Sequence, residues 1–176
     1  SQLGDAETVS QVDDIRLQLL KQATCFAHSD AESRYYQLLD ETKAVSEFLQ
    51  MLADLSSDSY ETCTAGVEKL TAWKTGLSNC SQQLSDRVQQ ALSNLESKRT
   101  ILQEKHTADA ENWLKLLGQD AAEADRITDE HQRLDRYTSI RDRIQKEQSK
   151  YVPYLNSEKK NTITYIQHQC QVEQRK

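Results

Sequence analysis

The sequence predicts an all-α protein, an elongated antiparallel three-helix bundle running up-down-up, and three observations carry that reading. Four Gly and one Pro in 176 residues leave too little turn chemistry for a sheet-based fold. Apolar residues recur at three- and four-residue steps over long stretches, the signature of a helical stripe. Bulky side chains are scarce, with two Phe and two Trp, so the expected core is a narrow coiled-coil-like seam.

The stripes divide the chain into helical arms of about 5–56, 58–117 and 119–176, expected to form one domain over residues 1–176. In the first arm, Val9, Val12, Ile15, Leu19, Ala23 and Phe26 make one stripe. Tyr35, Leu38, Val45, Leu49, Leu52 and Leu55 make a second, offset by two residues at Ser29-Asp30-Ala31-Glu32, itself a capping-box pattern. Ser56-Ser57-Asp58-Ser59 reads as the turn into the second arm, with Asp58 and Glu61 as its capping box.

The second stripe runs from Tyr60 through Cys63, Leu70, Leu77, Cys80, Val88 and Leu95 to Trp113 and Leu117, and Gly118 is the expected stop. Asp120 then caps a third arm with a seam of Ala124, Ile127, Leu134, Tyr137, Ile140, Ile144 and Tyr151. Pro153 must kink or restart this arm, because it lacks a backbone donor and crowds the preceding turn. A compact alternative makes Ser29, Gly76 and Pro153 true turns in a five- or six-helix bundle. The stripe keeps its phase through Gly76, which argues against that alternative.

Four cysteines stand at 25, 63, 80 and 170, with no two-residue spacing of a zinc or redox motif. Folding the arms back about residue 118 sets Cys170 level with position 66, near Cys63, and folding about 57 sets Cys25 level with position 89, nearest Cys80. Disulfides Cys63–Cys170 and Cys25–Cys80 are therefore expected. Asn79-Cys80-Ser81 matches a glycosylation acceptor, and a start at Ser1 without Met fits a processed secreted chain. Secretion or display on the cell surface is the expected localisation, with a cytoplasmic one as the alternative.

Net charge is −6, and it is uneven. Residues 1–65 carry twelve acidic and four basic side chains, a balance of −8, while 66–118 and 119–176 come to +1 each. The richest basic window, Arg133 to Lys160, is diluted by Asp135, Asp142, Glu147 and Glu158, so nucleic acid is not an expected partner. No apolar run reaches the length of a transmembrane segment.

Among the histidines, His28, His106, His131 and His168, none forms a zinc-hydrolase or di-iron pattern. Cys25 with His28 and His168 with Cys170 could supply four ligands, but the register sets residue 25 level with about 147, so no metal or cofactor is expected. Asp129-Glu130-His131 points in three directions on a helix and cannot converge on one proton. Arg99 and His106 occupy seam positions, where polar groups fix register; His106 as a pH switch is the functional alternative. No phosphate loop or nucleophile elbow occurs, and no enzyme activity is expected.

Arg133, Arg136, Tyr137, Tyr151, Tyr154 and Tyr165 concentrate around Pro153 and are the candidate partner-binding residues, since Tyr and Arg are enriched at interface hot spots. The sequence-based expectation is a non-enzymatic helical binding protein acting on a protein partner, with self-association allowed. The alternatives are a fragment of an intracellular coiled-coil or spectrin-like structural scaffold, and an amphipathic helical lipid carrier.

Overall fold

The computed structural model describes residues 2–27, 30–77 and 80–175. Local capping chemistry decides where most of its helices begin. Thr8 accepts a hydrogen bond from the Gln11 amide while the Gln11 side chain receives the Thr8 amide, and this capping box opens α1 (Val9–Lys21). The short α2 (Ala23–Phe26) follows, then α3 (Glu32–Asp54), whose N-cap Ala31 supplies no side-chain acceptor. Ser29, expected to open a capping box here, lies outside the described residues, as do His28 and Asn79.

Ser59 and Thr62 form the capping box of α4 (Tyr60–Gly76), one residue later than the expected Asp58 and Glu61. Helix α5 (Gln82–Asp125) is the longest, and Ser81 Oγ accepts from the Leu84 amide at its start. Asp129 caps α6 (Glu130–Tyr151) by accepting from the Gln132 amide at 2.9 Å. A 3-10 turn, Val152–Tyr154, carries Pro153, and Asn156 then caps α7 (Ser157–Glu173). The described residues are thus helical with no strand, and the all-α class holds.

The long arms do not persist as single helices. Gly76 ends α4, and Leu77 is extended, so the second arm is two helices. The stripe keeps phase across the gap only as a letter pattern: Leu77 is half-buried and Cys80 is exposed, so neither holds a helix together there. Gly118, the expected stop, lies inside α5, because Ala121 and Ala124 beyond it are buried and draw the helix onward. The turn comes instead at residues 126–129, and Asp120 caps nothing. Pro153 restarts the helix, as one of the two expected outcomes had it.

Packing divides the chain into two compact units, 1–100 and 101–176. The first unit buries Leu3 and Ala6 of the N-terminal segment, Val12 of α1, Val45, Phe48 and Leu49 of α3, Leu70 of α4, and Leu84, Val88, Leu92 and Leu95 of α5. The second buries Ala110, Trp113, Leu117 and Ala124 of α5 against Tyr137, Ile140 and Ile144 of α6 and Ile163, Ile166 and Cys170 of α7.

All four cysteines are free thiols, so neither Cys63–Cys170 nor Cys25–Cys80 is bonded. The reflections that paired them assumed turns at 57 and 118 only. With further breaks at 77–81 and 126–129, that register does not exist. Cys63 is buried within the first unit and Cys170 within the core of the second, where burial pushes its thiol pKa up. Cys25 and Cys80 are exposed.

Candidate functional site

An apolar groove of about 380 Å³ lies between α3 and α5 in the first unit. The closing turns of α3 supply Phe48 and Leu52, and the extended residue just beyond the helix supplies Leu55. From α5 come Arg87, Gln90, Ala91, Asn94 and Leu95, which share one face, with Ser57 of the intervening turn at the edge.

Several contacts hold the walls. Gly66 of α4 lies beneath, where an added Cβ would come within 3.1 Å of Leu55 Cδ2 and 3.3 Å of Leu95 Cδ1, so glycine lets both leucines rest on the helix backbone. Phe48 stacks on Trp73 with ring centroids 5.8 Å apart, and Trp73 Nε1 donates to Glu47 at 3.2 Å. Arg87 lies over the Phe48 ring and donates to the carbonyls of Gly4 and Ala6 at 3.1 and 2.8 Å, tying the N-terminal segment to α5. At the other end Lys98 donates to Ser57 Oγ at 2.7 Å. A cation therefore stands at each end of an apolar floor, and among the described residues the only charged side chain lining the groove is Arg87.

The residues expected to bind a partner lie in the second unit and are largely engaged within it. Arg133 pairs with Glu173 at 3.2 Å and donates to the Ile127 carbonyl. Arg136 pairs with Asp120 and Glu123, and Arg143 also reaches Asp120. Tyr137 is only 1% exposed, and its hydroxyl donates to Asp125 at 2.5 Å. Burial, then that carboxylate, pushes its phenol pKa well up. Tyr151 stacks on Trp113, whose Nε1 donates to Glu147 at 2.7 Å, and Tyr154 stacks on His106. Tyr165 differs, being 62% exposed.

The remaining candidates resolve individually. His106 is half-buried against Tyr154, and Arg99 is half-buried on α5. Asp129 is a helix cap, with Glu130 and His131 exposed beside it. Cys25 and Cys170 fall in different units, and His28 is outside the described residues. Among the described residues no three His, Cys, Asp or Glu side chains gather as metal ligands. No helix of the described residues is long and apolar enough to cross a membrane.

Sequence reasoning missed the groove because its residues straddle the seam. Leu52 and Leu55 read as core, and Ala91 reads as filler between Val88 and Leu95. The available signal was an alanine on a leucine-rich face, opposite one of only two phenylalanines. No family model matches the chain, and no curated protein or solved structure matches it.

Proposed function

We propose that the chain is a non-enzymatic protein-interaction module whose docking surface is the α3–α5 groove of the first unit. One observation supports this reading: an apolar groove lined by Phe48, Leu52, Leu55, Ala91 and Leu95 and edged by amides and by Arg87. Such a surface holds an apolar side chain by burial and orients it by hydrogen bonds. The up-down-up arrangement is proposed at the scale of one unit, for the second half of α5 with α6 and α7.

Photo-crosslinking tests the reading. A crosslinker at Asn94 in the groove is expected to give discrete protein adducts in the native setting, and one at the exposed Tyr165 far fewer. Equal labelling from both positions, or adducts from Tyr165 alone, overturns the groove and restores the tyrosine–arginine cluster.

A second reading, a structural scaffold of spectrin-like character, is favoured by α5, which supplies 82–100 to one unit and 101–125 to the other. The compartment follows from the thiols. Four free thiols in protein isolated without reductant place the module in a reducing compartment, and any native disulfide places it outside the cell. Co-flotation with vesicles would instead support the lipid-carrier alternative.

A further inference from the structure

Helix α1 carries apolar side chains that its own unit leaves uncovered. Leu17 is 54% exposed and Leu20 48% exposed, although both stand on a helix that packs along α3. They lie three residues apart, and Asp13, also exposed, lies four residues before Leu17. Spacings of four and seven put Asp13, Leu17 and Leu20 on one outward face: a carboxylate, then two apolar knobs.

The groove repeats that spacing in complementary chemistry. Along α5, Arg87, Ala91 and Asn94 follow one another at the same intervals of four and seven residues, with Leu95 beside Asn94. At helical rise both sets span about 6 Å and then about 10 Å from their charged member. Laid parallel, Asp13 would meet the Arg87 end, Leu17 would meet Ala91, and Leu20 would meet Asn94 and Leu95. The groove lining holds no acidic side chain to oppose Asp13.

We infer that the groove accepts α1 of a second copy of this chain, with Leu17 and Leu20 as the inserted side chains and Asp13 facing Arg87. The inference rests on the groove being a docking surface and names what docks there. The contact is heterologous, because the inserting face and the receiving face are different surfaces of the chain. Two leucines make a small interface, so association is weak and appears between micromolar and millimolar protein.

Sedimentation velocity over that concentration range tests it with two variants at exposed positions, each checked for unchanged helicity. Leu17→Asp with Leu20→Asp removes the inserted face, and Gln90→Glu with Asn94→Glu places two carboxylates at the groove. Wild type is expected to associate, each variant alone to stay monomeric, and an equimolar mixture to form one-to-one pairs, since one partner keeps the groove and the other keeps the leucines. A wild type that stays monomeric, a variant that associates like wild type, or a mixture that stays monomeric overturns the inference. An environment-sensitive apolar dye separates the two levels. Dye uptake by a monomeric wild type that is lost in Gln90→Glu with Asn94→Glu rejects the second copy and keeps the groove. No uptake rejects both.

Discussion

The two units solve the problem of a charged, helix-rich chain in opposite ways. Residues 1–100 hold fifteen acidic and nine basic side chains and carry the whole net charge of −6, whereas residues 101–176 hold thirteen of each. Among the described residues, seven ion pairs lie within the second unit, centred on Asp120, Arg136, Arg143 and Glu147. The first unit instead has an acid surplus, exposed leucines on α1 and an open groove. A unit that satisfies its own polar groups has little to offer a partner. The one that leaves apolar surface uncovered is where an interaction gains most, because burial supplies the driving force.

Core truncation gives the largest expected effect and asks whether the units are separately stabilised. Leu70 and Leu117 are both fully buried, one in each unit. Leu70→Ala and Leu117→Ala should each cost about 2–5 kcal/mol in chemical denaturation, read through Trp73 and Trp113 emission respectively. A loss under about 1 kcal/mol at either site would mean that the local packing is not as described.

Next comes Tyr137→Phe, which strips Asp125 of its hydroxyl donor and should cost the second unit about 1.5–3 kcal/mol. The pH dependence follows from the raised phenol pKa. The folded chain keeps Tyr137 protonated above the ordinary tyrosine value of about 10, so this stabilisation is complete below that value and falls away as pH rises beyond it. Alkaline unfolding of wild type should therefore steepen above about pH 10, and Tyr137→Phe should flatten it.

The tryptophans make a matched pair, each donating its indole N–H to a glutamate on a neighbouring helix and stacking on an aromatic ring. The Trp113–Glu147 bond is shorter and more buried than Trp73–Glu47. Trp113→Phe should cost about 1–2 kcal/mol and Trp73→Phe less than about 1, with thermal melts as the readout. Equal losses would remove this distinction between the units.

Salt gives the smallest and most diagnostic contrast. Screening relieves repulsion among the surplus acids of the first unit and weakens the exposed pairs of the second. Added NaCl should thus stabilise one and destabilise the other, each by no more than about 1 kcal/mol. Shifts of the same sign in both would contradict the charge partition.

Much of this fold is legible in the sequence, and the failures have physical causes. The seam residues are correctly apolar and buried, among them Cys63, Leu70, Val88, Leu92, Trp113, Ile140 and Ile144, because period and burial are directly coupled. The break after Gly76 was masked because Leu77 and Cys80 extend the stripe without a helix beneath them, although Gly76 and Ser81 carry turn and cap chemistry. Gly118 misled in the opposite direction, since buried Ala121 and Ala124 outweigh its propensity.

The cysteine pairing inherited both errors, because it multiplied helix lengths into a register. In the tyrosine–arginine cluster, Arg133, Arg136 and Tyr137 have carboxylates to meet, at Glu173, Asp120 and Asp125, and proximity across helices is not visible in a linear pattern. The groove forms between segments far apart in the chain, 48–57 and 87–95, which no periodicity reports.

Hydrogen exchange of concentrated against dilute protein tests the central claim most directly. If the groove of the first unit is the docking surface, amides of residues 48–57 and 87–98 should exchange more slowly at high concentration, those of α1 around Leu17 and Leu20 should follow, and residues 130–165 should not change. Slowing confined to 130–165, or no slowing in the groove segments, would contradict it.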